Sequence, residues 1–328
     1  MRDEISAGSV VDGVDRRCAV HSAEPVARMS PNMPSRRSRR GSSRRQKQLA
    51  SGLAERWTTV GGVKVFYRES VTPPNGRVMM HLHGFGLSGR YLLPTAERLA
   101  GDFHTLVPDL PGFGRSGRAP SLDVPDLAHA AARFLDDRGI ESVTLVGNSM
   151  GCPVIFEFAH LYPERLERAV LVAPAGGLHN QPLTRAIRQL ARDGPREPIR
   201  LMRVAAPDYV RFGIPSTFKM FKALTQYPSL DRLLDLKVPT LAVLGDRDPL
   251  MPTPARVSYV ASQTDTHVLL VVIEGAAHAI NFSHPGELAH VIRQFMADQP
   301  ITDDPDAPGH AQTYEIHRGI HHPPPADA

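Results

Sequence analysis

One serine in the chain has the local sequence of a catalytic nucleophile. Residues 147–151 read GNSMG, which places Ser149 between two glycines directly after an apolar run. The pattern G-x-S-x-G is typical of a sharp strand-to-helix turn that exposes a serine hydroxyl for nucleophilic attack. Glycine and serine are also common in ordinary turns, so the pentapeptide alone leaves a solvated turn serine as the alternative.

Two later segments offer the partners that such a serine needs. A serine hydroxyl is a weak nucleophile near neutral pH, so it requires a base, and the base requires an acid that orients it. The segment LGDRDPLMP (244–252) follows one apolar run, and EGAAHAINFSHP (274–285) follows the next. They supply aspartate before histidine in the chain, with Asp246 and Asp248 as rival acids and His278 and His284 as rival bases.

Length and composition favour one main domain with appendages. The chain has 328 residues, of which 41% are hydrophobic, enough for a sizeable core. The two cysteines, Cys18 and Cys152, form no disulfide framework, and the histidines of the last 28 residues lack the spacing of a structural metal site. No apolar run reaches the roughly 18 residues of a membrane span. We therefore expect no metal, no cofactor and no transmembrane segment.

Both ends of the chain differ in composition from the middle. Residues 1–50 hold 11 Lys/Arg against 5 Asp/Glu and include the tract SRRSRRGSSRRQK at 35–47, which predicts a disordered basic arm. An export signal would need an apolar segment after the arginines, so a cytoplasmic protein is expected. Contact of the arm with nucleic acid or an anionic membrane surface is the less favoured alternative. Residues 299–328 are polar and rich in proline, and we expect a flexible tail.

Between the arms, apolar runs alternate with amphipathic segments, as in a mostly parallel sheet covered by helices. The sequence VGGV at 60–63 predicts a hairpin. Helices are expected over 121–139 and 151–162. Further strands are expected at 77–84, 104–110, 142–148, 168–174, 239–246 and 267–275.

The segment 177–237 interrupts this alternation with short helical patterns and prolines. We expect it to form a helical cap over the carboxyl edge of the sheet, where open parallel sheets bind ligands. The two parts of the core then span 51–176 and 238–298. The segment holds 11 Lys/Arg against 5 Asp/Glu. Its arginines at helical spacing are expected on a solvated face, although at a pocket entrance they would favour acidic substrates or anionic surfaces. These arginines are Arg185, Arg188 and Arg192.

Five motifs in this order resemble those of the α/β-hydrolase superfamily, in its capped, esterase-like branch, over about residues 57–297. They are HGFG (83–86), DLPGFGRSG (109–117), GNSMG (147–151), GDRDPLMP (245–252) and GAAHAINFSHP (275–285). The resemblance implies the α/β-hydrolase fold, with a mostly parallel central sheet flanked by helices and a helical cap insertion.

The resemblance also assigns roles to individual residues. It implies Ser149 as the nucleophile, Asp248 as the acid and His278 as the general base. The backbone N–H groups of Met150 and Phe85 would stabilise the oxyanion. Four further residues receive structural readings: Asp246 as a turn residue, His284 as a surface residue, His83 as a residue that orders its loop, and His81 as sheet interior.

The function that follows is a serine hydrolase acting on a small-molecule substrate. We expect it to cleave a carboxylic ester of a small to medium apolar substrate through an acyl-enzyme. Related epoxide hydrolases and haloalkane dehalogenases carry aspartate where Ser149 stands, so those activities are not expected. Two alternatives remain: a carbon–carbon bond hydrolase, whose usual Trp after the base is here Ala279, and a non-catalytic ligand-binding member of the fold.

Overall fold

The computed structural model describes residues 52–71, 76–119, 123–174, 180–251, 253, 259, 262, 268–306 and 311–316. The basic arm expected over residues 1–50 lies outside the described residues, and so do residues 317–328.

The described residues build a nine-stranded sheet in the spatial order β1-β2-β4-β3-β5-β6-β7-β8-β9. Strands β3 to β8 pair in parallel, and the outer strands β1, β2 and β9 pair antiparallel to their neighbours. The strands are β1 Leu53–Val60, β2 Val63–Ser70, β3 Val78–Leu82, β4 His104–Pro108, β5 Val143–Asn148, β6 Leu166–Val172, β7 Thr240–Gly245, β8 Val268–Ile273 and β9 Ala311–Ile316. The mostly parallel α/β-hydrolase architecture expected from the motifs is confirmed.

The predicted hairpin joins the first two strands. Val60 pairs with Val63 across a two-residue turn. Gly61 and Gly62 take positive φ values of 54° and 81°, the conformation that this type of turn demands of both central residues.

Helices cover both faces of the sheet. Adjacent residues of β3 lie on opposite faces, because Met79 belongs to the core cluster of Leu99 and Leu288, while Met80 belongs to the core cluster of Leu127 and Val154. Central strands buried on both faces read as continuous apolar runs, which is why the sequence predicts them well. The fully described α-helices outside the segment 177–237 are α1 Leu93–Leu99, α2 Val124–Asp137, α3 Gly151–Leu161, α8 Ile280–Ser283 and α9 Pro285–Met296.

Among the described residues between β6 and β7 there are four further α-helices, which together are named the cap helices. They are α4 Leu183–Asp193, α5 Ile199–Phe212, α6 Ile214–Gln226 and α7 Ser229–Leu234. Residues of α4, α5 and α6 line one side of a cavity, and residues at the ends of the parallel strands and in the loops after them line another. Residues 175–179 lie outside the described residues, so the expected limits of 177 and 237 for this insertion stay a prediction.

The expectation of a flexible tail over 299–328 is wrong for one segment. Ala311–Ile316 form β9, which pairs antiparallel with β8 from Val268↔Ile316 to Ile273↔Ala311. Without β9, the N–H and C=O groups on one side of β8 would have no partner strand, and an open edge of this kind is a site of unwanted pairing. The polar, proline-rich composition of residues 299–328 predicted flexibility, because composition contains no information about pairing with a strand distant in the chain.

Candidate active site

Ser149 sits at the turn between β5 and α3 in the strained backbone conformation that the pentapeptide predicts. Its φ is 55°, and its N–H donates to the Val172 carbonyl at 3.0 Å. A Cβ added to Gly151 would lie 2.4 Å from the Leu82 carbonyl oxygen, and one added to Gly147 would lie 2.6 Å from the Gly151 carbonyl carbon. Both glycines are therefore required, because the turn packs directly against the backbone of β3 and of its own helix.

His278 and Asp248 come together from the loops after β8 and β7. The Nδ1 of His278 lies 2.6 Å from Oδ2 of Asp248. The aspartate side chain is completely buried, and its Oδ1 accepts a hydrogen bond from the Leu250 N–H at 2.8 Å. With Nδ1 bonded to the carboxylate, Nε2 is the ring nitrogen left to exchange a proton with a hydroxyl.

The rival acid and the rival base make other contacts. Asp246 is exposed, and its Oδ1 accepts from the Gly275 N–H at 2.7 Å, so it fixes the turn after β8. His284 precedes α9, and its Nδ1 lies 2.9 Å from the Ser283 hydroxyl. The geometry therefore favours Asp248 and His278 as partners of Ser149.

Ser149 and His278 line one cavity of about 260 Å³ under the cap helices. Within the described residues, no hydrogen bond joins the Ser149 hydroxyl to His278, a bond that in free enzymes is often long and tightens when substrate binds. Most of the wall is apolar. The cap helices contribute Ala186, Leu190, Leu201, Met202, Ala205, Phe221 and Leu224.

The two amides expected to form the oxyanion hole also border this cavity. Phe85 and Met150 both line it, and among the described residues neither backbone N–H has a hydrogen-bond acceptor. A Cβ on Gly84 would lie 3.3 Å from the Ser149 Cβ and 2.9 Å from the Tyr91 hydroxyl oxygen. Glycine at this position thus lets the loop after β3 approach the serine closely.

A buried hydrogen-bond chain that no sequence motif predicted links three of the loops around the site. The Gly84 N–H donates to the Tyr91 hydroxyl at 2.7 Å, and that hydroxyl donates to Oδ1 of Asn148 at 2.5 Å. The Asn148 amide donates in turn to the carbonyl of His278 at 3.3 Å. Asn148 is the first variable position of GNSMG, so the motif contained the residue, but its partners are distant in sequence.

His83 orders the loop after β3, as expected. Its Nδ1 donates to the Gly84 carbonyl at 3.0 Å, and its Nε2 accepts from the Leu110 N–H at 3.0 Å. This pattern requires a neutral ring, and burial lowers the pKa of His83, which keeps it neutral. His81 is also fully buried, in β3, where burial lowers its pKa to about 3.

Two carboxyl groups from the cap helices bind the backbone beside the histidine. Oδ1 of Asp193, at the end of α4, accepts from the His278 N–H at 3.3 Å. Oε1 of Glu197, just before α5, accepts from the Ala279 N–H at 2.6 Å. Both residues line the cavity. No sequence motif marked them, because acidic residues in an amphipathic segment are normally solvated.

These carboxyl groups change the electrostatics of the site. Burial raises the pKa of Asp193, and it raises the pKa of Glu197 to about 7. For His278, burial acts to lower the pKa, but the charge and hydrogen bond of Asp248, with the charges of Asp193 and Glu197, raise it to about 9. The imidazolium is thus stabilised by three carboxylates, of which only one comes from the expected triad.

The described residues contain no group of three or more His, Cys, Asp or Glu side chains placed to hold a metal ion. Cys152 is buried, its Sγ donates to the Gly147 carbonyl, and burial raises the pKa of the thiol. Across the described part of the chain, every helix is too short or too polar to cross a bilayer.

Comparison with known proteins assigns the chain to a family. A family model described as "Alpha/beta hydrolase family" matches residues 79–291, about two thirds of the chain, a range that contains Ser149, Asp248 and His278. The chain belongs to the alpha/beta hydrolase family.

Among curated relatives, a poly(3-hydroxyalkanoate) depolymerase of Ectopseudomonas oleovorans is 30% identical over 210 residues, covering 56% of this chain and 74% of the relative. A pimeloyl-[acyl-carrier protein] methyl ester esterase of Aeromonas salmonicida is 27% identical over 249 residues, covering 67% and 96%. Both relatives of this α/β hydrolase carry names of enzymes that cleave esters or polyesters.

Solved structures share the fold. A thermophilic esterase from Thermogutta terrifontis superposes with a TM-score of 0.59 at 23% identity, covering 74% of this chain and 98% of that one. A bacterial membrane phospholipase A gives a TM-score of 0.65 at 24% identity, covering 76% and 87%. At these identities the likeness concerns the fold of the α/β hydrolase and not its substrate.

Proposed function

We propose that this chain is a serine hydrolase that cleaves carboxylic esters of small to medium apolar substrates. The observation that carries the proposal is the pairing of His278 Nδ1 with the buried Asp248 at 2.6 Å, beside the strained Ser149 in the same cavity. A binding protein has no need of this ordered set of three groups. The names of the curated relatives support an ester as the bond that is cleaved.

In the first half of the reaction, His278 accepts the Ser149 proton at Nε2 as the hydroxyl attacks the ester carbonyl. Asp248 holds the ring and stabilises the imidazolium that forms. The Phe85 and Met150 N–H groups donate to the developing oxyanion, and each such donor is worth about 3 kcal/mol of barrier. His278 then gives its proton to the leaving alcohol, and the acyl group remains on Ser149.

In the second half, water attacks the acyl-enzyme after giving a proton to the same His278 nitrogen. Collapse of the tetrahedral intermediate returns that proton to Ser149 and releases the acid. The apolar side chains of the cap helices surround the cavity, so it suits an apolar acyl group. A volume of about 260 Å³ is small for a ligand pocket, and it favours short and medium chains over long ones.

A fluorophosphonate probe tests the nucleophile directly. We expect it to label the native protein on Ser149, as located by peptide mass spectrometry, and to leave Ser149→Ala unlabelled. Ser283→Ala is the matched control, since its hydroxyl lies near the histidine loop but bonds the Ala279 carbonyl and the His284 ring rather than His278. Full esterase turnover by Ser149→Ala would refute the assignment.

A substrate panel tests the bond that is cleaved. Nitrophenyl esters of increasing acyl length should be hydrolysed, with kcat/KM highest for the short and medium chains. One ring-fission dienoic keto acid and one peptide amide serve as comparison substrates. A higher kcat/KM on the ring-fission product than on every ester would replace ester hydrolysis by carbon–carbon bond hydrolysis.

A further inference from the structure

The outward face of α5 and α6 exposes large apolar side chains to an unusual degree. Nine large hydrophobic residues of the described chain are conspicuously exposed, and five of them lie on these two helices. This apolar cap face consists of Ile199 (83% exposed), Met202 (54%), Val210 (82%), Ile214 (74%) and Phe218 (56%).

Packing of the cap on the core does not require these residues. A surface helix normally has one apolar stripe directed inward and a polar face directed outward. In α5 the inward stripe is already supplied by Leu201, Ala205 and Phe212, which are buried. Ile199, Met202 and Val210 form a second apolar stripe on the opposite, solvent-facing side, and scattered exposure does not produce such a stripe.

The same two helices are strongly basic. Residues 199–226 hold five Lys/Arg and one acidic residue, Asp208, whose Oδ2 accepts from the Ser88 hydroxyl at 2.6 Å. The basic residues are Arg200, Arg203, Arg211, Lys219 and Lys222. Apolar side chains interspersed with Lys and Arg, and almost no acid, are the composition of helices that lie in an anionic lipid interface.

Other possible partners of the apolar cap face complement its positive charge less well. A second copy related by a two-fold axis would bring basic residues opposite basic residues. The 11 Lys/Arg of residues 1–50 give that segment the same sign of charge. An anionic lipid surface offers both the charge complement and an apolar phase for the exposed side chains.

The face is continuous with the cavity. Met202 is 54% exposed and also lines the cavity that holds Ser149 and His278. We propose that the apolar cap face docks on anionic lipid surfaces, so that ester substrates dissolved in the lipid enter the cavity beside Met202. The docking proposal does not depend on the proposed function. The entry of esters from lipid does rest on the proposed function.

Vesicle co-sedimentation of the full chain tests the docking. The native protein should bind vesicles of phosphatidylcholine with phosphatidylglycerol, and the bound fraction should fall as salt rises. The triple variant Ile199→Ser/Val210→Ser/Phe218→Ser should bind at least about tenfold more weakly, since it loses three buried side chains at the interface. None of these three residues lines the cavity, so hydrolysis of a water-soluble ester should be unchanged.

Matched variants isolate the face. Val71→Ser/Leu234→Ser removes exposed apolar side chains outside it and should bind as the native protein does. Arg203→Gln/Lys219→Gln/Lys222→Gln should weaken binding to anionic vesicles only. Every variant keeps residues 1–50, so any binding by that basic segment is the same throughout.

Two results would overturn the docking: equal vesicle binding by the native protein and the triple variant, or a native dimer in light scattering that the triple variant makes monomeric without losing vesicle binding. The rate of hydrolysis of an ester dissolved in the vesicles gives the second readout. This rate should fall in the triple variant together with vesicle binding. If no ester is hydrolysed, the proposed function fails while co-sedimentation still decides the docking.

Discussion

The core and the cap helices border the same cavity through different kinds of contact. On the core side, backbone packs against backbone: a methyl group on Gly151 would meet the Leu82 carbonyl at 2.4 Å. On the cap side, Gly194 has open space where its Cβ would stand. The cap lines the cavity mostly with apolar side chains, and the carboxyl groups of Asp193 and Glu197 bind the backbone beside His278.

This difference separates two tasks. The positions of the nucleophile and the base depend on strand ends and tight turns, which tolerate no added volume. The cap sets the environment of those groups, namely the charge around His278, the apolar wall and the outward face. Changes in the core should therefore lower kcat or stability by large factors, whereas changes in the cap should alter the pH profile and substrate preference.

The largest effect is expected from the acid of the triad. Asp248→Asn should lower kcat by about 10³- to 10⁴-fold, because the amide neither holds the histidine tautomer nor offsets its positive charge. Asp246→Asn is the matched control, and it should change kcat less than about threefold. Steady-state kinetics on a nitrophenyl ester compares them, and reversed effects would show that Asp246 is the acid.

A pair of glycine variants tests the contrast in packing. Gly151→Ala should lower the free energy of unfolding by about 3 kcal/mol, since the new methyl group must push the turn away from β3. Gly194→Ala should change it by no more than about 0.5 kcal/mol. Urea denaturation followed by circular dichroism measures both, and equal losses would contradict the distinction between rigid core and tolerant cap.

The hydrogen-bond chain of the core should have an intermediate effect. Tyr91→Phe removes the acceptor of the Gly84 N–H and the donor to Asn148, which loosens the oxyanion loop. We expect kcat to fall about tenfold with little change in KM. Tyr227→Phe is the control, because its hydroxyl bonds Glu157 away from the cavity. A comparable fall in the control would reduce the Tyr91 effect to general destabilisation.

The smallest effect, and the sharpest test of the cap, concerns pH. His278 must be neutral to act as a base, and its pKa is raised to about 9, so kcat/KM should rise with pH up to that region. Glu197→Gln keeps an oxygen for the Ala279 N–H but removes the carboxylate that favours the imidazolium. The rise of kcat/KM with pH should therefore occur at lower pH. At neutral pH, kcat/KM should increase by less than about tenfold.

Two further variants separate charge from hydrogen bonding at this position. Glu197→Leu removes both the charge and the acceptor, so it should also lower the plateau value of kcat. Glu157→Gln changes a buried carboxyl group on α3 and should leave unchanged the pH at which kcat/KM rises. If Glu197→Gln and Glu157→Gln gave identical profiles, the cap carboxyl group would have no influence on the histidine.

Much of the core could be predicted because its signals are local. Strands β3 to β8 are mostly apolar runs, and the two-glycine turn of the first hairpin dictates its own geometry. Ser149, Asp248 and His278 stand in motifs that mark where strands end, and their catalytic roles stay predictions. Asn148 was visible in the same pentapeptide, but its contact with Tyr91 joins residues 57 positions apart.

The sequence by itself indicated the family, the order of strands β1 to β8, and the motifs at strand ends that hold Ser149, Asp248 and His278. Those features depend on local backbone preferences and on short motifs at strand ends. Tertiary structure alone decided that Asp193 and Glu197 bind the histidine loop, that residues 311–316 complete the sheet beside β8, and that α5 turns a second apolar stripe outward. Each of these three features depends on whether segments distant in the chain are in contact. The charge around His278 also follows from such contacts.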